Sequence, residues 1–520
     1  MTLAALLASL GDLASAPDVA IDPSFGARVV KAMAYDSRRA SPGSLFVALK
    51  GQKHDGVEFA VQALAKGAVA VVAEGARPPE VAAPWVVVRD ARLAMARLAG
   101  AFYGHPSRDL TVVGITGTNG KTTTAYLVDA LFEAAGVRCG MLGTIVYRVG
   151  GEERSATRTT PESVDVQHLL REMVARGCGA CAMEVSSHAL SQRRVDGTRF
   201  AVGVFTNLTR DHLDFHGDME SYFAAKRRLF EMLGPDGTAV VNLDDPRGAS
   251  LAGLAGRTLT YAIDRPAYVH PAALTHSLRG FSFDAVTPEG TVAVRSPLVG
   301  RPNVYNVLAA IGAAVACGLP FDAIARGLAA LDRVPGRFQV VSGPDDDVTV
   351  VVDYAHTDDA LKNLLETARP LATARLITVF GAGGDRDRSK RPLMGAVAAR
   401  LSDLVVITSD NPRGEDPAEI IEEIKRGVAM PSERTRPSEA REGQPKYTPP
   451  TPTPHLAIVD RKLAIGRAIS LARPDDVVVI AGKGHEQYQV IGDREIPFDD
   501  VAVAREALEH RRAARPGGPR

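Results

Sequence analysis

A chain of 520 residues is too long for one hydrophobic core and divides into about three or four domains at roughly 150 residues each. Lys plus Arg balance Asp plus Glu at 61 each, so no global field draws the protein to nucleic acid or an anionic membrane, and anion recognition has to be local. The four cysteines, Cys139, Cys178, Cys181 and Cys317, are too sparse for a disulfide framework and point to a reducing, cytoplasmic setting.

The start of the chain is apolar but has no Lys or Arg ahead of its apolar run, which argues against a secretory signal. Leu3, Leu6, Leu7, Leu10 and Leu13 recur at helical spacing and predict a helix packed by one face on a domain. A strand over 44–49, a helix over 57–66 and a strand over 68–72 make residues 1–108 a small α/β block. Apolar strands then follow at 110–115, 181–185, 200–205 and 238–241. Separated by helices, they predict a doubly wound parallel sheet within 109–335, closed by a helix over 303–317. The apolar run 307–319 contains Gly312 and Gly318 and falls short of the roughly 20 residues that cross a bilayer, so no membrane span is expected.

After Pro335-Gly336 a third α/β series occupies 336–520, with strands at 348–352, 376–380, 404–407 and 477–480. Residues 431–454 hold seven prolines and no apolar periodicity, the composition of a flexible surface insertion, and 511–520 read as a solvated basic end. Clefts between the blocks are the expected place for function.

Residues Gly114-Ile-Thr-Gly-Thr-Asn-Gly-Lys-Thr-Thr123 set a glycine-rich turn and Lys121 between a strand and a helix. Glycines let backbone N–H groups face an anion, the lysine brings charge to the terminal phosphates of ATP or GTP, and Thr122 offers a hydroxyl to Mg²⁺. The match to G-x-x-x-x-G-K-[ST] is imperfect: Ile115 stands where the first glycine belongs, and Gly114 lies one residue early.

The helix predicted over 218–233 places Met219, Tyr222, Phe223, Leu229, Phe230 and Leu233 on one stripe, and Lys226 fills the remaining position of that stripe. Two readings stand. The stem packs while the ammonium snorkels to water, or burial leaves a neutral amine that reacts with CO₂ to give a carboxylate-like metal ligand. Oxygen and imidazole groups gather at strand ends nearby, with Glu184 in Met183-Glu-Val-Ser-Ser-His188 and His212 in Asn207-Leu-Thr-Arg-Asp-His-Leu-Asp-Phe-His216. Such groups suit Mg²⁺, and singly they also serve as caps. Cys178-Gly-Ala-Cys181 enters an apolar strand instead of opening a helix, so core packing is its reading.

In the third block Gly381-Ala-Gly-Gly-Asp-Arg-Asp-Arg388, Asp410-Asn-Pro-Arg-Gly414 and Gly482-Lys-Gly-His-Glu486 each end a strand. Arg386 and Arg413 can converge on a carboxylate while Glu486 holds an ammonium, which reads an amino acid. Turn punctuation by Asn-Pro and Gly-Gly is the alternative.

Together these motifs resemble the Mur ligases, which add amino acids to a UDP-linked muramoyl peptide in bacterial cell-wall synthesis, and the likeness runs nearly the full length. Thr116-Gly-Thr-Asn-Gly-Lys-Thr-Thr123 is similar to the family's variant ATP loop. Glu184-Val-Ser-Ser-His188, His212-Leu-Asp-Phe-His216 with Lys226, and Asp410-Asn-Pro-Arg413 are similar to its tripeptide-forming branch.

The resemblance implies a central P-loop ATPase domain with a doubly wound sheet. A small N-terminal α/β domain for the UDP-muramoyl substrate and a C-terminal Rossmann-like α/β domain for the amino acid flank it. It implies that Tyr35, Ser37, Gln52, Lys53 and His54 contact the uridine nucleotide, and that Thr159, Thr160, Ser186, Gln192 and Arg194 hold the muramoyl dipeptide. Gly117, Thr118, Asn119, Gly120, Lys121, Thr122 and Thr123 would bind ATP, with Asn303, Arg337 and Asp353 near its adenosine. Thr122, Glu184, His212 and Lys226 as N6-carboxylysine would organise Mg²⁺, with Lys121, Glu184, His212 and Lys226 as the catalytic set. Arg386, Asp410, Asn411, Pro412, Arg413, Gly482 and Glu486 would select the incoming amino acid.

Asp-Asn-Pro-Arg resembles the version that takes meso-2,6-diaminopimelate and not lysine, and an arginine fork rewards the second carboxylate. A monomeric, cytoplasmic, ATP-dependent ligase follows as the expectation, with ATP, UDP-N-acetylmuramoyl-L-alanyl-D-glutamate and the diamino acid as its small-molecule partners. A lysine-adding homologue, a folylpolyglutamate synthetase and a P-loop ATPase switch are the alternatives. Two departures stand out: Arg158 where an asparagine is often found, and the long 431–454 insertion.

Overall fold

The computed structural model describes residues 1–14, 23–51, 54–79, 81–277, 280–429 and 453–514. Gln52, Lys53, most of the proline-rich insertion and the last six residues of the chain lie outside them. The N-terminal block is a parallel sheet of β1 (Ala32–Ala34), β2 (Ser44–Val47), β3 (Ala70–Ala73) and β4 (Trp85–Val87) in that spatial order. Leu3, Leu6, Leu10 and Leu13 are buried beneath it as predicted, but not on one helix. An α-turn at Leu3–Leu7 gives way to a 3₁₀ stretch at Ala8–Leu13, broken where Gly11 takes φ +55°.

The central sheet contains β5 (Thr111–Thr116), β6 (Cys139–Leu142), β7 (Val146–Val149), β8 (Glu152–Ser155), β9 (Ala180–Glu184), β10 (Val202–Phe205), β11 (Thr238–Asn242) and β12 (Arg257–Tyr261). Its order is β12-β11-β10-β5-β9-β6-β7-β8, parallel from β12 through β6 and antiparallel at the β7–β8 edge. β5 and β9 are buried along almost their whole length because helices cover both faces, which is why their sequences are near-continuous apolar runs. Cys178 and Cys181 sit buried as free thiols at the start of β9, in keeping with core packing. A second, three-stranded antiparallel sheet, β13 (His270–Ser277), β14 (Gly280–Thr287) and β15 (Gly290–Ser296), packs beside the Phe321–Ala330 helix.

The C-terminal block is built on β16 (Gln339–Val340), β17 (Thr349–Asp353), β18 (Leu376–Phe380), β19 (Leu404–Ile407), β20 (His455–Ala457) and β21 (Val477–Ala481), ordered β16-β17-β21-β18-β19-β20. All pairs but β16–β17 are parallel. A hairpin of β22 (Tyr488–Ile491) and β23 (Arg494–Pro497) follows. The molecule is thus a three-block α/β protein, and no helix among the described residues is long and apolar enough to cross a membrane. Arg511 and Arg512 depart from the reading of a solvated end. They belong to the Asp500–Ala513 helix and pair with Asp347 at 2.7 Å and Asp346 at 2.9 Å, which tie that helix to the loop before β17.

Arg461 and Asp500 form a fully buried ion pair at 2.7 Å between the last two long helices, and Arg461 also donates to the carbonyl of Ala481 at 3.0 Å. Removing one partner strands the other charge away from water. Asp500→Ala is therefore expected to destabilise the C-terminal block by about 3–5 kcal/mol. Urea denaturation of the full chain checks this, and a change near zero would show the pair to be dispensable.

Candidate active site

The phosphate-loop sequence connects β5 to the Lys121–Ala134 helix, with Gly120 at the N-cap in the left-handed region. Its irregularity has a structural cause. Gly114 is a strand residue, and a Cβ there would lie 2.7 Å from the Phe200 ring, so this glycine serves sheet packing and not the loop. The loop glycine is Gly117, at φ +145°, where a Cβ would meet the Thr206 hydroxyl at 1.9 Å. The Asn207 carbonyl and side-chain oxygen then accept from Thr118 N and Asn119 N, both at 2.9 Å, and hold the turn.

Two lysines meet on this loop. Lys121 Nζ donates to the carbonyls of Gly117 at 3.0 Å and Thr118 at 2.8 Å, and Lys226 Nζ donates to the same Gly117 carbonyl at 2.7 Å. Lys226 is 1% exposed and stacks 4.4 Å from the centre of the Tyr222 ring, so its ammonium does not reach water and the snorkelling reading is overturned. Burial, reinforced by the charge of Lys121, pushes Lys226 well below the ordinary lysine pKa. Burial also lowers Lys121, against the pull of Glu184 and Asp211.

Glu184 ends β9 beside this pair. One of its oxygens accepts from Thr144 N at 2.8 Å, and the other accepts from Thr144 Oγ1 and Thr122 Oγ1, each at 3.0 Å. Thr122 Oγ1 in turn accepts from Arg337 at 3.2 Å, a bond that crosses from the third block to the second. His212, at φ +55°, sits among His188, Tyr222 and Asp211. Burial pushes its imidazole down to about 3, which leaves it neutral and able to ligate a metal. Among the described residues no three His, Cys, Asp or Glu side chains converge as a metal site. Of the expected Mg²⁺ ligands, Glu184 and His212 are of those types, and the other two are the Thr122 hydroxyl and the Lys226 amine.

A cleft of about 1170 Å³ brings the three blocks together. His54 lines it from the first, Gln192, Arg194 and His212 from the second, and Arg386, Asp410, Asn411, Arg413, Gly482 and Glu486 from the third. Arg194 donates to the carbonyl of Thr160 at 2.9 Å and to Gln192 at 2.6 Å, while the Thr160 hydroxyl donates to the Glu184 carbonyl at 2.8 Å. Ser186 N donates back to the Thr160 hydroxyl at 3.1 Å, and Thr159 accepts from Thr144 at 3.1 Å. Gln192 and Arg194 line the cleft, whereas Thr159, Thr160 and Ser186 lie behind them and link them by hydrogen bonds to Glu184. Arg158, the departure noted in the sequence, pairs with buried Glu162 at 2.7 Å.

Arg413 takes the left-handed conformation at φ +51° and donates to the Gly384 carbonyl at 2.8 Å, which brings the arginine-bearing turn against the loop of Arg386. Asp353 accepts from Phe338 N and Ala355 N, Asn303 accepts from Asn306, and the Arg337 guanidinium lies 4.5 Å over the Tyr354 ring.

Other predicted positions are placed elsewhere. Tyr35 donates to Asp165 at 2.5 Å and Ser37 to Gln62 at 2.7 Å, and neither lines the cleft. Pro412 does not line it either. Asp211, within the expected oxygen and imidazole cluster, lines it, as do His356 and Lys390, which escaped sequence reasoning. Lys390 opens a helix directly after the Gly381–Arg388 stretch, a position that nothing in the local pattern distinguishes from a surface cap.

Residues 29–103, 115–314 and 336–484 match, respectively, the Mur ligase family catalytic domain, the Mur ligase middle domain and the Mur ligase glutamate ligase domain. The chain is 52% identical over 473 residues to the UDP-N-acetylmuramoyl-L-alanyl-D-glutamate--2,6-diaminopimelate ligase of Geobacter metallireducens, covering 89% of this chain and 91% of the relative. The chain belongs to the Mur ligase family. This Mur ligase is also 47% identical to the protein of the same name from Gloeobacter violaceus, over 99% of both chains. A solved structure of a UDP-N-acetylmuramoyl-L-alanyl-D-glutamate--2,6-diaminopimelate ligase superimposes with a TM-score of 0.63 at 35% identity, covering 92% of this Mur ligase and 95% of the other chain. ATP-dependent, ADP-forming ligation is the family's chemistry.

Proposed function

We propose that this Mur ligase joins meso-2,6-diaminopimelate to the D-glutamate of UDP-N-acetylmuramoyl-L-alanyl-D-glutamate, with cleavage of ATP to ADP and phosphate, in the cytoplasmic stage of peptidoglycan synthesis. The observation that carries the reading is the shared cleft. Arg194 from the second block faces Arg386, Arg413 and Glu486 from the third across one space. Relatives at 47% and 52% identity bear this ligase's name.

A γ-carboxylate oxygen of the D-glutamate attacks the γ-phosphorus of ATP, and the bond to the bridging oxygen of ADP breaks. The amine of diaminopimelate then attacks the acyl carbon. Phosphate leaves with the anhydride oxygen, the nitrogen loses a proton, and an amide forms. Residues Gly117 to Thr123 cradle the phosphates, Lys121 offsets the charge that moves during transfer, and Asn303, Arg337 and Asp353 flank the adenosine. Thr159, Thr160, Ser186, Gln192 and Arg194 hold the dipeptide. Tyr35, Ser37, Gln52, Lys53 and His54 belong to the uridine end. Arg386 and Asp410 to Arg413 take the distal carboxylate, and Gly482 and Glu486 the ammonium beside it. The enzyme works as a monomer whose blocks contribute one substrate site each.

Thr122, Glu184, His212 and Lys226 would hold Mg²⁺, which when bound neutralises phosphate charge. Lys226 fits the role as a carbamate. It is a buried amine with a lowered pKa beside a second lysine, and an anion on its nitrogen would pair with Lys121 where an ammonium repels it.

Purified enzyme should release ADP only when the UDP-muramoyl dipeptide and the amino acid are both present. Steady ATP turnover with neither would favour an ATPase switch.

A further inference from the structure

Lys483 is fully buried, lies outside the residues expected to bind substrate, and sits between two of them. Its Nζ donates to Asn411 Oδ1 at 3.0 Å and to Glu486 Oε2 at 2.9 Å. Asn411 Nδ2 donates to the same Glu486 oxygen at 2.9 Å, and Val490 N donates to Asn411 Oδ1 at 2.9 Å. The three side chains form a closed triangle. The lysine fixes which way the Asn411 amide faces, and Glu486 Oε1 is left without a hydrogen bond from the described residues. The β22 strand braces the same turn: Gln489 Nε2 donates to the Asp410 carbonyl at 2.6 Å and Arg413 N to the Val490 carbonyl at 3.1 Å.

Charge gives this arrangement its consequence. Glu486 lines the cleft beside Arg386 and Arg413, and its carboxylate is already paired with a cation that water does not reach. The distal end of a diamino diacid carries an ammonium and a carboxylate and is neutral overall, whereas the distal end of a diamino monoacid such as lysine is a lone cation. A compensated Glu486 accepts the neutral pair, while an uncompensated Glu486 favours the cation.

We propose that Lys483 is a positioning residue that sets the charge of the amino-acid end of the cleft and thereby its preference for a diamino diacid over a diamino monoacid. This rests on the assignment of that end to the amino acid made above.

The test is competition between meso-diaminopimelate and L-lysine, with ATP and the UDP-muramoyl dipeptide saturating. The full-length wild type, Lys483→Met, Lys483→Gln and Lys483→Arg are compared, with product masses giving the ratio of the two kcat/KM values. The ratio of diaminopimelate to lysine is expected to fall at least about tenfold in Lys483→Met and Lys483→Gln and to be retained in Lys483→Arg, with KM for ATP unchanged. Glu486→Gln is expected to move the ratio the opposite way, which keeps the proposal testable if the neutral Lys483 variants fail to fold. A Lys483→Gln ratio equal to the wild type, a Glu486→Gln ratio that does not rise, or a KM for ATP that rises in step with that for the amino acid would overturn it. A wild type that prefers lysine would instead overturn the diaminopimelate assignment, and the direction of the shift between wild type and variant would still decide the role of Lys483.

Discussion

Replacing Lys226 with alanine is expected to lower kcat by about a hundredfold to a thousandfold, the range seen when one preorganised electrostatic group is removed from a transferring centre. The variant should fold, because Lys226 contributes a stem stacked on Tyr222 and one bond to the Gly117 carbonyl, in a helix otherwise held by Tyr222, Phe223, Leu229 and Phe230. The proposed carbamate makes this more than a test of importance. The wild type, stripped of dissolved CO₂, should lose activity and regain it on adding bicarbonate. Incubation with ¹³C-bicarbonate should give a carbamate ¹³C resonance that Lys226→Ala lacks. An alanine variant with wild-type turnover, or a wild type indifferent to bicarbonate and without that resonance, would leave Lys226 as a buried structural lysine.

The second large effect is expected at Arg413. If Arg413 donates to the distal carboxylate of diaminopimelate as proposed, Arg413→Ala removes a charged hydrogen bond of about 1.5–3 kcal/mol, so KM for that amino acid should rise roughly ten- to a hundredfold. KM for ATP should not move, because the proposed nucleotide cradle lies on the second block and Arg413 on the third. Lysine has no distal carboxylate, so its weaker use should change little. An equal loss for both amino acids would mean that Arg413 supports the turn and does not read the substrate. That alternative has a structural basis to be tested against, since Arg413 also bonds Gly384 and Val490.

Much of this was legible in the chain because buried parallel strands advertise themselves. β5, β9, β18 and β21 are apolar runs, and each lies within a residue or two of its expected place. The antiparallel β13–β15 sheet was not read. Its strands alternate, with Phe281, Phe283 and Ala285 inward and Asp284 outward, and so lack the continuous run that marks a strand covered on both faces. Gly11 shows a local limit: leucine spacing predicted the right buried set, yet one glycine at positive φ split the helix.

The site divides along the same line. Lys226 was visible because a lysine interrupts an otherwise apolar stripe, but whether its ammonium reaches water depends on β5 and Tyr222, which pattern alone does not place. Lys483 gave no signal. Its hydrogen-bond partner Asn411 lies 72 positions earlier in the chain, and only the fold brings the two together. Tyr35 and Ser37, proposed for the uridine end, hydrogen-bond to Asp165 and Gln62, partners that local pattern does not announce.

The most direct measurement is to supply wild-type enzyme, ATP and UDP-N-acetylmuramoyl-L-alanyl-D-glutamate with equal meso-diaminopimelate and L-lysine and to weigh the products. The geometry around Arg386, Arg413 and Glu486 predicts the diaminopimelate tripeptide in large excess, with one ADP per amide formed. A predominance of the lysine product, or ADP released without either amide, would contradict it.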